Sequence, residues 1–101
     1  MSDAAATETG SLERMARDVA EEVAGPGVFA DVAVEPAVDS LDRATHLFTF
    51  LVTPEAAARP LGEARLRLGM GLRDRLLARG RETPPLIRVL DREDWARFRR
   101  A

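Results

Sequence analysis

A single small α+β domain is predicted from three features of this 101-residue chain. A helix-period stretch runs from Ser11 to Ala24, and two strand-period stretches follow it, joined by a turn-prone connection. From Pro54 to Glu82 no β-branched residue occurs, which marks a long helical region. The expected order is α-β-β-α(kinked)-β-α, a three-stranded sheet with helices packed on one face.

Residues 1–10 are small, polar and acidic, and read as a disordered leader, neither a signal nor a transit peptide. Residues 11–101 are expected to hold the folded domain. Ser11 is a good N-cap for the first helix. Leu12, Met15, Ala16, Val19, Ala20, Val23 and Ala24 follow the i, i+3, i+4, i+7 spacing, with Glu13, Arg14, Arg17, Asp18, Glu21 and Glu22 opposite. Gly25-Pro26-Gly27 stops this helix, Gly25 suiting the left-handed cap position.

Val28 to Glu35 reads as the first strand, with Val28, Ala30, Val32 and Val34 on one face and Pro36 as its end. Asp39, Ser40 and Asp42 make the connection turn-prone. Thr45 to Thr53 is the second strand. His46, Phe48, Phe50 and Val52 share one face, and Leu47, Thr49 and Leu51 lie on the other. A strand flanked on both faces in this way suggests the centre of the sheet or a neighbour of the longest helix.

Thr53-Pro54-Glu55 is a helix start with a cap, a proline at the first position and an acid in the first turn. Within the helical stretch, Ala64, Leu66, Leu68, Met70 and Leu72 alternate with Arg65, Arg67, Gly69 and Gly71, which mimics a strand. Composition favours helix, and helix is the reading adopted. At about 100° per residue, Leu61, Leu68, Leu72 and Leu76 form one stripe, and Leu66, Met70 and Leu77 form a second. Arg65, Arg75 and Arg79 fall within the first stripe. A straight rod would bury them, so a break is expected at Gly69-Met70-Gly71, with an earlier joint at Pro60. Gly80 ends this element. Pro84-Pro85 imposes an extended approach to a third strand, Leu86 to Leu90. Asp91 caps a terminal helix whose Trp95 and Phe98 should dock on the body, leaving Arg97, Arg99 and Arg100 in water.

Charge is divided along the chain. Residues 1–58 carry three arginines and eleven carboxylates, a balance of −8; residues 59–101 carry twelve arginines and six carboxylates, a balance of +6. There is no lysine. GC-rich codon usage accounts for the choice of arginine over lysine but not for its placement. Such a basic half points to an anionic partner, or to an acidic protein surface, including that of a second copy of the chain.

Catalysis has little support. His46, the only histidine, has no acid or nucleophile beside it in sequence, and the chain lacks cysteine, so a zinc site with several N or S ligands is excluded. Asp39 with Asp42 reads as a turn, and Asp91, Glu93 and Asp94 as a helix cap. No phosphate-binding loop, dinucleotide fingerprint or nucleophile elbow occurs. No cofactor and no metal is implied. No apolar run is long enough to cross a membrane, and a cytoplasmic protein is expected.

The candidate nucleic-acid contact is the helical region carrying Arg59, Arg65, Arg67, Arg73, Arg75, Arg79 and Arg81. Arginine grips phosphate with a planar fork. A kink at Gly69 and Gly71 would bring phosphates to helix N-terminal amides.

Gly69-Met70-Gly71, Pro84-Pro85-Leu86 and Asp42-Arg43-Ala44-Thr45-His46-Leu47, taken in this element order, resemble the type II KH-like domains of the ribosome-binding factor A family. The likeness covers roughly residues 12–91. Its interhelical Ala-x-Gly kink would fall at Gly69-Met70-Gly71, and its Pro-x-Leu lead into the last strand at Pro84-Pro85-Leu86. The resemblance implies binding of small-subunit ribosomal RNA in ribosome biogenesis. BolA-type proteins share the topology, and Leu61-Gly62-Glu63-Ala64-Arg65 is similar to part of their second helix. Their metal-binding histidine would fall near Arg65, where this chain has none. Two functions are therefore expected: a non-enzymatic protein that binds structured RNA through its arginine-rich helix, or a protein-interaction module that forms a homodimer or binds an acidic protein partner.

Overall fold

The structure, a computed structural model, describes the backbone of residues 2–100 and the side chains of residues 7–100. Its elements are α1 (Ser2–Ala24), β1 (Phe29–Val38), β2 (Ala44–Val52), α2 (Pro54–Ala57), α3 (Gly62–Ala78), β3 (Leu86–Leu90) and α4 (Arg92–Arg100). The strands form one sheet in the order β1-β2-β3. β1 and β2 are antiparallel, whereas β2 and β3, joined by the helical crossover, are parallel. The α+β class, the three strands and the central position of β2 agree with the sequence pattern.

The core lies between the sheet and the helices α1 and α3. Leu12, Met15, Ala16, Val19 and Ala20 of α1 meet Leu68, Leu72 and Leu76 of α3 over Val32, Val34, Phe48 and Phe50. Phe48, Phe50, Leu12, Leu68 and Leu72 are fully enclosed, each contributing roughly 1.5–3 kcal/mol by removal from water. The opposite face of the sheet meets α4. Thr49, which alternates with Phe48 and Phe50, is fully buried there beneath Arg88, whose Nη2 donates to Thr49 Oγ1 at 3.1 Å. The Arg88 guanidinium in turn stands 4.9 Å from the Phe98 ring centroid, so a cation–π contact seats the terminal helix.

Several boundaries follow the expected caps. Gly25 (φ +86°) and Gly80 (φ +79°) end α1 and α3 in the left-handed region. Thr53 Oγ1 accepts from the Ala56 amide at 3.3 Å with Pro54 at the first helical position. Asp91 Oδ1 accepts from the Asp94 amide at 2.8 Å. In the hairpin loop Asp39 Oδ1 accepts from the amides of Leu41 and Arg43, both at 2.9 Å. These bonds, led by that from the Arg43 amide, hold the Asp39 carboxyl below its ordinary range.

The helices do not all pack on one face as expected, because Arg88 and Phe98 seat α4 on the side of Thr49, opposite α1 and α3. Four further details depart from the sequence reading. The first helix begins at Ser2, not at Ser11, so the segment expected as a disordered leader is helical from Ser2 onward; three alanines between Ser2 and Gly10 favour the helix. β1 continues through Pro36 to Val38, because β1 is an edge strand and an edge tolerates a residue without an N–H. A bulge between Phe29 and Asp31 moves the β1 alternation by one residue. Ala30 is therefore exposed, and Phe29 turns inward to lie 5.4 Å from Phe50, centroid to centroid.

The fourth departure concerns the glycine pair. α3 runs unbroken through Gly69-Met70-Gly71, and the helical region divides only between Ala57 and Gly62, at the joint expected around Pro60. The glycines serve packing. A Cβ at Gly71 would lie 2.8 Å from Val19 Cγ1 and 3.4 Å from Val23 Cγ1; one at Gly69 would lie 3.4 Å from Ile87 Cδ1. The rod avoids burying arginine because only Leu68, Leu72 and Leu76 are buried along it. Arg75 and Arg79 reach past that stripe to α1.

These contacts separate the two glycines experimentally. Gly71→Ala is expected to destabilise the domain by about 1–3 kcal/mol through overpacking against Val19. Gly69→Ala should be neutral or stabilising by up to about 1 kcal/mol through helix propensity. Urea denaturation of both variants checks this, and equal losses would restore the kink.

Candidate interaction surface on α3

The basic residues of the helical region are divided by what they touch. α1 and α3 run antiparallel, which places the acids of the first half of the chain against the arginines of the second. Arg75 Nη2 pairs with Glu22 Oε2 at 2.5 Å, and Arg79 Nη1 donates to Ser11 Oγ at 3.1 Å. Arg81 pairs with Glu8. Arg67 pairs within α3 with Glu63 at 2.7 Å. These contacts are solvent-exposed or partly so, each stabilising by about 0–1 kcal/mol, but together they occupy four of the seven arginines assigned to the candidate face. Arg59, Arg65 and Arg73 form no ion pair among the described residues.

Arg65 and Arg73 lie together. With Gly69 and Met70 they form one wall of a shallow groove of about 300 Å³, and Pro85 and Ile87 form the other. Pro84, also on that side, is held by Thr45, whose Oγ1 donates to the Pro84 carbonyl at 2.8 Å. Gly69 keeps the groove open, since it has no side chain to fill the space above Ile87. Arg59 stands apart, exposed in the joint between α2 and α3.

The outer face of α3 is also apolar. Leu66 is 65% exposed, Met70 59% and Leu77 45%. This is the second stripe visible in the sequence, and among the described residues no element covers it. The predicted site residues are therefore brought together only in part. Arg65, Gly69 and Arg73 share the groove; Gly71 faces Val19; Arg75, Arg79 and Arg81 are engaged by α1. Gly69 and Gly71 lie within the helix, so they offer no helix N-terminal amides to a phosphate. The sequence reading missed Leu66 and Met70 as surface residues, Pro85 and Ile87 as a facing wall, and Glu8 and Glu22 as the acids that engage the arginines. The spacing of Leu66, Met70 and Leu77 was the one available signal.

A second concavity, of about 370 Å³, lies beside the end of α3 and includes His46, Arg81 and Thr83. His46 Nε2 is 3.9 Å from Glu8 Oε1, and the side chain is 16% exposed. Burial lowers its proton affinity below the ordinary imidazole value, and the charge of Arg81 adds to this while Glu8 opposes it. Among the described residues, no three of His, Asp and Glu converge as a metal-holding group. Among the described residues, no helix is long and apolar enough to cross a membrane.

No protein-family model, no curated protein and no solved structure matches this chain.

The His46 environment predicts a pH dependence. Its folded-state pKa lies below the unfolded value, so the unfolded chain binds the proton first as pH falls. The resulting stability is complete above about pH 6.5–7 and declines below it as the imidazole titrates. Denaturation midpoints between about pH 7.5 and 5.5 should fall for the parent chain more than for His46→Gln.

Proposed function

We propose that this domain is a non-enzymatic binding module that docks a protein partner on the outer face of α3. One observation carries this: Leu66, Met70 and Leu77 form an exposed apolar stripe, flanked by Arg65 and Arg73 without an ion-pair partner among the described residues. Apolar residues, methionine and arginine together are the composition of protein-binding surfaces rather than of solvated ones. The internal pairing of Arg67, Arg75 and Arg81 also removes much of the continuous positive field that a phosphate backbone needs.

A second function, contact with structured RNA as the ribosome-binding factor A resemblance implies, is favoured by the element order and by the three arginines that remain. In that case Arg59, Arg65 and Arg73 would carry the phosphate contacts.

A photo-crosslinking residue at Met70, with one at the equally exposed Leu41 as control, is expected to capture protein selectively from cell extract at position 70. A labelled RNA hairpin is expected to bind no more tightly to the parent chain than to Arg65→Glu/Arg73→Glu. RNA affinity that falls steeply between about 50 and 200 mM salt and is lost in that double variant would overturn the protein-docking function in favour of RNA.

A further inference from the structure

We propose that the groove between α3 and β3 takes an extended acidic peptide, which adds to the free edge of β3 as a fourth strand. This names the partner class for the α3 surface and rests on the protein-docking function above.

β3 is the last strand of the sheet and, among the described residues, is paired only with β2. Every second amide and carbonyl along its outer side is therefore available to another strand. The groove meets the start of this strand, with Pro84, Pro85 and Ile87 on one wall and α3 on the other. A strand laid there gains main-chain hydrogen bonds from β3 and side-chain contacts from the helix, the mode in which a peptide extends a sheet. Pro84 and Pro85 carry no N–H, so the ladder can use amides only from Leu86 onward, which limits the register at that end.

Charge and spacing define the peptide. Arg65 and Arg73 are eight residues apart on a helix, about 12 Å along its axis. Four residues of extended strand span about 13 Å, and residues i and i+4 point to the same face. Two carboxylates four residues apart would therefore meet both arginines at once. The residue midway between them would rest on the exposed Met70 side chain, where an apolar side chain finds a packing partner. An acidic–apolar–acidic alternation on one face is the expected signature.

The test uses the full ¹⁵N-labelled chain and short synthetic peptides. The probe carries two glutamates four residues apart with valine midway, and the controls place the glutamates three residues apart, replace them with lysine, or N-methylate alternate amides. The probe is expected to shift the amide resonances of Leu86–Leu90, and each control to bind at least about tenfold more weakly. Arg65→Gln/Arg73→Gln, at two exposed positions, should lower affinity for the probe by a similar factor while the other resonances stay in place.

Equal binding of the N-methylated peptide, or shifts confined to α3, would overturn strand addition while leaving protein docking on α3 intact. Equal binding of the lysine peptide would overturn the acidic specificity. Failure of every peptide to bind would overturn the proposal, and the crosslink at Met70 then decides separately whether α3 docks protein at all.

Discussion

Gly71 brings α3 so close to α1 that a single added carbon would lie 2.8 Å from Val19 Cγ1, and much of the remaining architecture follows from that approach. With the two helices in contact, α3 needs only Leu68, Leu72 and Leu76 to seal the core above Phe48 and Phe50. A narrow contact stripe on a helix whose leucines are more widely spread leaves the rest outside. Leu66, Met70 and Leu77 lie on the other side of the helix from that stripe and stay exposed. The glycines act through absent side chains rather than through backbone flexibility, and they act twice: Gly71 admits α1, and Gly69 opens the groove above Ile87.

The same pairing redistributes charge. In sequence the acidic and basic halves look like surfaces awaiting separate partners. In three dimensions the antiparallel arrangement sets Glu8 against Arg81 and Glu22 against Arg75. Each pair is weak by itself, because solvent screens it. Their joint effect is on specificity: they use up arginines along the α1 side of α3 and leave Arg65 and Arg73 on the side facing β3. A local surface with two guanidinium groups unpaired among the described residues, beside exposed leucine and methionine, replaces what the sequence presents as a broad basic region.

The sheet is finished differently on its two faces. Toward α1 and α3 it is closed by large apolar side chains. On the other face Thr49 is buried under an arginine, which also contacts Phe98 and lies 3.9 Å from Glu35. Arg88 therefore connects β1, the centre of the sheet and the terminal helix through a single side chain that is still 41% exposed. This arrangement suits a short terminal helix with no fully buried residue of its own, since aromatic and cation–π contacts can seat it without a second core.

The sequence by itself determined the class, the element order and most of the caps. Those depend on local rules: the period of the apolar residues, Thr53-Pro54 at a helix start, and glycine where φ is positive. It also showed both stripes of α3 and the uneven distribution of arginine. Only the tertiary structure decided which stripe faces inward, that Pro36 lies inside an edge strand, and that Phe29 rather than Ala30 turns to the core. It alone showed that the glycine pair marks two close contacts and not a kink, because a helix bend and a tight helix packing call for the same small residue. For the charge split, the sequence counted the arginines but could not say which of them α1 would engage. That depends on contacts between residues 53 and 73 positions apart, where local pattern carries no information.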